Sequence, residues 1–295
     1  MAVRVTQNML NRNMLRNLYN SMGNMDKLQE QLSSGKKVSK PSDDPVIVTR
    51  GMFYRSSLIE NDQFAKNTTE ALNWLDATDQ ALDEVGNVYK RVQELVVASG
   101  NGTLSKDDLK MMAMEIAELK NHLGNIANQT VNGRYIFAGT DSTRPPYDTA
   151  SGQFTNTNSS LIRLEISENT YVPININAQN VFNNPTGNNI FTLLDNIVTE
   201  LNNGNAATAY SDQLKQQADF VLTERAALGA RVNRLELVED RLSKSEVSIT
   251  GLMSKNEDAD IAEVITQLKA QENVHRAALS AGARIIQPSL VDFLR

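Results

Sequence analysis

The sequence predicts a mainly α protein with a small β insertion, α+β taken as a whole. It is arranged as discontinuous coaxial layers: paired terminal helices, an antiparallel bundle of long helices, and an inserted β domain. Three observations lead there. Between Asp212 and Ser254 no proline interrupts, and apolar residues recur at three- and four-residue steps (Leu228, Val232, Leu235, Val238, Leu242). That is one stripe on a helix about 60 Å long, which cannot bury the stripe against itself. A second unclaimed stripe lies at the opposite end of the chain, so the two ends are expected to pair. Between Arg134 and Pro185, finally, the helical period gives way to alternation with a period of two.

Taken in order, Met14, Leu18, Met22, Met25, Leu28 and Leu32 keep helical spacing from Gln7 to Leu32, and Gly35 follows as a C-cap stop. The methionines read as core rather than as ligands of a cofactor or metal. Residues 31–45 form a short linker broken by Gly35, Pro41 and Pro45. In it Ser42, Asp43 and Asp44 before Pro45 read as an N-cap with proline in the first turn. Asp43 and Asp44 lack a third nearby ligand for a metal, so capping is their expected use.

A second long helix is expected from Val46 to Ser99. Leu72, Leu75 and Leu82 form one stripe and Ala71, Trp74, Ala81 and Val85 another, a face wide enough for two neighbours. After a turn at residues 100–103, Ser105 caps a third helix with Asp107 and Asp108 in its first turn. Its stripe is Leu109, Met112, Ile116, Leu119, Leu123 and Ile126.

Asn132-Gly133 ends the helical pattern. Ile162, Leu164 and Ile166, then Val172, Ile174 and Ile176, alternate with polar residues around Glu168-Asn169, a hairpin signal. A short helix (Ile190, Leu193, Leu194, Ile197) returns the chain through Asn203-Gly204 to the long helix. After a polar break at Ser254-Lys255-Asn256 a last stripe holds Ile261, Ile265, Leu268, Leu279 and Ile286. The expected domains are 1–40 with 256–295 as a terminal coiled-coil layer, 45–133 with 186–255 as the helical bundle, and 134–185 as the β insertion.

Composition narrows the functional classes. The chain has 295 residues, 40% hydrophobic and 22% charged, with few aromatics and a net charge of −6. That length suffices for two or three domains, and the charge argues against a general nucleic-acid binder. The absence of cysteine excludes disulfides and thiol catalysis. No apolar run reaches the length of a membrane span. The acid-poor start, with only Arg4, Arg12 and Arg16 charged before Asp26, is expected to belong to the mature protein, because its stripe runs on unbroken to Leu32. Residues 1–40 carry seven basic and two acidic side chains, whereas residues 256–295 carry four basic and six acidic. The opposite signs favour pairing of the ends, although exposed ion pairs contribute little.

Catalytic chemistry is poorly served. His122 and His275 sit in helical stretches without metal spacing, and no nucleophile elbow, phosphate loop or dinucleotide glycine pattern occurs. The carboxylates read as solvated helix faces. The expectation is a non-enzyme without metal or cofactor. A thin terminal helix pair is marginal alone, so the ends are expected to be mobile in the isolated monomer and to order by packing against copies or relatives.

The stretch LQEQLSSGKKV (residues 28–38) followed by PSDDP (41–45) resembles the N-terminal signature of bacterial flagellins and their relatives. LGARVNRLE (228–236), DADIA (258–262) and the alanine-rich last helix resemble the C-terminal one. Four features are similar to the hook–filament junction members rather than to flagellin: RVTQNM at 4–9, KPSDDP at 40–45, GRYIFAGT at 133–140 and LVDFL at 290–294.

The resemblance implies unfolded passage through the flagellar type III export apparatus and a cytoplasmic export chaperone on the C-terminal helix. It also implies assembly with copies of itself between hook-associated protein 1 and flagellin, with no nucleic acid and no membrane as partner, and a secreted, extracellular location. Assembly would run through Met14, Leu18, Met25, Leu28, Leu32, Ile261, Ile265, Leu268, Leu279 and Ile286, driven by apolar burial at about 25 cal/mol per Å². The bundle core would hold Leu72, Leu75, Leu82, Leu109, Ile116, Leu119, Leu123, Leu228, Val232 and Leu235. Flagellin itself is the alternative. A secreted adhesin or wall-degrading enzyme with its activity in 134–185 is a further reading, and an intracellular coiled-coil scaffold the generic one.

Overall fold

The computed structural model describes residues 7–176, 178–184 and 189–286. Long helices dominate because proline-free stretches with three-and-four spacing fill most of the chain: α1 (Gln7–Ser34), α2 (Pro45–Ser99), α3 (Lys106–Ala127), α5 (Ile190–Asn202), α6 (Ser211–Glu257) and α7 (Ile261–Ile286), with a short α4 (Ala178–Phe182). The strands are short and pair only in twos: β1 (Thr130–Val131) with β2 (Arg134–Tyr135), β3 (Tyr147–Asp148) with β4 (Gln153–Phe154), and β5 (Arg163–Ser167) with β6 (Thr170–Pro173), all antiparallel.

Local chemistry sets the boundaries. Gly35, in the left-handed region at φ 69°, ends α1 by donating its N–H to Gln31 O at 2.9 Å. Asp44 Oδ1 accepts from the N–H groups of Val46 and Ile47 at 2.9 and 3.1 Å, so Asp44 caps α2 and Pro45 opens it. Asp43 instead pairs with Lys27 at 2.9 Å. Ser105 and Asp108 form a full capping box on α3. Asn132 and Gly133, both at positive φ, make the two-residue turn between β1 and β2. The stop after α6 falls later than the sequence suggests. The helix runs through Ser254-Lys255-Asn256 to Glu257, and Asp260 caps α7 by accepting from Ala262 and Glu263 N–H.

The chain divides into two compact units, residues 1–59 with 246–295 and residues 60–245. The division falls within α2 and α6, and the stretch 134–185 lies in the same unit as the bundle helices. The reason is physical: two-stranded pairs cannot enclose a core of their own. Their inward residues Ile166, Val172, Tyr147 and Phe154 join one continuous core with α2, α3, α5 and α6. An aromatic chain ties them in, with ring centroids 5.0 Å apart for Phe137–Phe182, 5.2 Å for Phe154–Phe182 and 4.7 Å for Tyr147–Phe191.

Within this second unit, α6 contributes Leu214, Val221, Leu228, Leu235 and Leu242, all buried and each seven residues from the last, the spacing of a coiled-coil seam. Leu75, Leu82, Leu109, Ile116 and Leu123 are buried beside them, while Leu72, Leu119 and Val232 are half-buried against the same core. Arg225 clasps Asp79 and Asp83 at 2.8 and 2.6 Å, linking α6 to α2.

Candidate assembly surface

In the first unit α1 packs on α7 as an antiparallel pair. At its base the chain segments are stitched by backbone. Lys37 N–H donates to Glu257 O at 2.6 Å, Ala259 N–H donates to Gly35 O at 2.9 Å, and Lys36 and Asp258 form an isolated antiparallel bridge. Further along, Gln271 Nε2 donates to the buried Ser21 hydroxyl at 3.1 Å, a polar pair inside an apolar seam. Farther still, Gly282 is buried against Met14, and a Cβ at Gly282 would overlap the Met14 thioether.

The seam is narrow. Leu268 is buried at 8% exposure and Met14, Leu18, Met25 and Leu28 are half-buried. Leu32, Ile261, Ile265 and Leu279, the last 49% exposed, face outward. The side chain of Ile286 lies outside the described residues, as do the first and last segments, 4–6 and 290–294, of the junction-like patterns. Other apolar side chains are exposed too: Leu15, Tyr19 (74% exposed) and Met22 on α1, and Val274 on the other flank of α7. The pair thus satisfies one side of each helix and leaves a second apolar side bare. An arrangement of this kind can bind another amphipathic surface. Among the described residues, no three His, Asp or Glu side chains gather as a metal site, and no helix is long and apolar enough to cross a membrane.

Where α1 ends and α7 begins, a charged knot holds three chain segments: the residues after α1, the start of α2 and the end of α6. Glu257, only 5% exposed, takes Arg55 Nη2 at 2.7 and 2.5 Å and Lys36 Nζ at 2.8 Å. Its carboxylate lies where a side chain on Gly51 would stand, so α2 can approach only because residue 51 lacks one. Asn256 Nδ2 donates to Ile47 O at 2.9 Å beside it. Burial pushes the Glu257 carboxyl upward, but the hydrogen bonds and charges of Lys36 and Arg55 outweigh it and hold the group below the ordinary carboxylate range. At Asp43, similarly, the hydrogen bond from Lys27 holds the carboxyl low.

Sequence reasoning missed Glu257, Arg55, Lys36, Gly51 and Gly282. An acidic residue closing a helix against the macrodipole was the available signal at Glu257. A glycine inside a proline-free helix, which weakens it without visible benefit, was the signal at Gly51 and Gly282. Val264, buried in α7, fell between the chosen stripe positions.

Known proteins can now be set beside this geometry. Residues 5–142 match the family model of the bacterial flagellin N-terminal helical region, and residues 211–294 that of the bacterial flagellin C-terminal helical region. The chain is 31% identical to flagellar hook-associated protein 3 of Salmonella typhimurium across 95% of its own length and 94% of that protein's. It is 27% identical to flagellin of Bacillus subtilis, with 94% of each chain covered. The crystal structure of flagellar hook associated protein-3 from Legionella pneumophila superposes with a TM-score of 0.63 at 17% identity, covering 69% of this chain and 98% of that one, which establishes the shared fold.

Proposed function

Because this chain belongs to the bacterial flagellin family, we propose that it is the structural subunit joining the flagellar hook to the filament. The observation that carries the reading is the end-to-end similarity to a hook-associated protein 3, higher than to a flagellin matched over the same span. The bare apolar side of the α1–α7 pair supports it, since an isolated chain gains nothing from exposing Leu15, Tyr19, Ile265 and Leu279.

In this mechanism the terminal pairs of neighbouring copies pack side by side. Each copy removes its bare stripe from water at about 25 cal/mol per Å², which drives assembly without a chemical step. Lys36, Arg55 and Glu257 tie the residues after α1 and the end of α6 to the start of α2, beside the α1–α7 pair. Copies of the chain itself, hook-associated protein 1 on the hook side and flagellin on the filament side are the neighbours. The flagellar type III apparatus delivers the subunit to an extracellular position, and a cytoplasmic chaperone covers the C-terminal helix beforehand. Chemistry on a substrate has no place in this role.

Deletion of the gene in its own bacterium, read by electron microscopy and by assay of the medium for flagellin, tests the proposal. Hooks without filaments and flagellin lost to the medium are expected. Missing filaments with no flagellin anywhere would make this chain the filament subunit, a reading favoured by the full-length match to the Bacillus subtilis protein. Normal filaments would overturn both.

A further inference from the structure

Sulfur in this chain resides in methionine alone: ten methionines and no cysteine. Their placement is uneven. Met9, Met14, Met22 and Met25 all fall on α1. Met9 and Met22 are exposed, whereas Met14 and Met25 are half-buried. Met14 differs from the others in what it meets, because its thioether occupies the space left by the missing side chain of Gly282. The neighbours of Gly282 in sequence, Ala281 and Ala283, and Ala278 one turn earlier carry no side-chain hydrogen-bond donor. The contact therefore suits an unbranched, apolar, polarisable group.

We propose that Met14 is an oxidation site through which peroxides uncouple α1 from α7. A lone pair on the Met14 sulfur attacks one peroxide oxygen and the O–O bond breaks. An S–O bond forms, and the second oxygen leaves as water with the protons of the peroxide. Sulfur loses two electrons and peroxide gains them. Met14 as a residue is only half-buried, and no thiol competes for the oxidant. The product places a strongly polar S–O group in the buried space against Gly282, and hydrating it drives the helices apart. The polar Ser21–Gln271 bond and the Glu257 knot contain no sulfur, so the loss starts at the far end of the pair and leaves its base joined. This inference rests on the α1–α7 contact within one chain and not on the junction role.

The test uses the full chain, dilute and self-assembled, treated with hydrogen peroxide. Peptide mass spectrometry locates added oxygen, and amide hydrogen exchange reports α1 and α7, with α3 as an internal control. Oxygen on Met14 is expected to lower protection in residues 10–20 and 274–283 about tenfold or more, with α3 unchanged. Met14→Leu, similar in volume and lacking sulfur, should keep its protection under peroxide; Met22→Leu should lose it as wild type does. Met14→Gln, which approximates the oxidised side chain, should lack protection without any oxidant. Full oxidation of Met14 with protection intact would overturn the proposal, as would equal loss in Met14→Leu. Absence of α1 protection before treatment in both states would do so too. A failed gene-deletion test would leave these readings untouched.

Discussion

The bundle unit and the α1–α7 pair are built from the same material, long amphipathic helices, yet they reach opposite balances. In the bundle unit the large side chains Leu75, Leu82, Ile116, Leu123, Phe137 and Phe182 are sealed from solvent within one core. In the terminal pair Val264 and Leu268 are the buried apolar side chains among those described, while Tyr19, Met22, Val274 and Leu279 stand in water. The difference teaches that amphipathic patterning specifies a helix face but not its partner. A bundle of three or more helices encloses its stripes, whereas two helices alone cover a single seam and keep a surface available for association.

The sharpest way to break that comparison is to delete the same amount of side chain on both sides of it. Ile116→Ala should cost about 2–5 kcal/mol of bundle stability by leaving a cavity, measured by denaturant unfolding of the dilute chain. Leu279→Ala, on the bare side of α7, should move that stability by less than about 0.5 kcal/mol but prevent self-assembly in sedimentation. Equal effects on unfolding would erase the distinction.

A smaller effect is expected at the knot. Glu257→Gln should weaken protection of the α1–α7 pair by about 1–3 kcal/mol at neutral pH, because two cations lose a charged acceptor. The folded Glu257 carboxyl titrates below its unfolded value. Its stabilising share is thus complete above the unfolded value, and it drains away as pH falls through the folded one. Hydrogen exchange of the wild type should show that loss below about pH 4, and the Glu257→Gln profile should lack this component. Smallest of the three, Ser105→Ala removes the capping box of α3 and should lower the melting stability of the bundle by about 1 kcal/mol, with no change in assembly.

How much of this was legible in the sequence depended on the range of the interaction. Helix faces, caps and hairpins are local, and Gly35, Asp44, Ser105, the hairpin turn at Glu168-Asn169 and the stripe from Leu228 to Leu242 could be read directly. The coupling of Lys36 to Glu257 spans 221 positions, and that of Arg55 spans 202. Neither residue has a local signature that separates it from an ordinary solvated charge. The reach of the β insertion was likewise hidden. Alternation marked its hairpin, but nothing local shows that Phe137, Phe154 and Phe182 close a core shared with α5 instead of one of their own. Gly51 and Gly282 were visible as anomalies whose meaning appears only when the opposing side chain is known.

Asn61 carries a consequence in time. Its amide donates to Leu242 O at 3.1 Å, joining positions 181 residues apart near the two places where the chain enters and leaves the bundle unit. In an unfolded chain, α1 and α7 must find each other across nearly the whole sequence. The entropy of closing so long a loop grows with the logarithm of its length. Once the bundle unit has folded, that contact makes the intervening stretch a short tether. The first and last helices then search over tens of residues instead of hundreds. A terminal pair that closes on a folded bundle unit therefore costs far less loop entropy than one that closes on an unfolded chain.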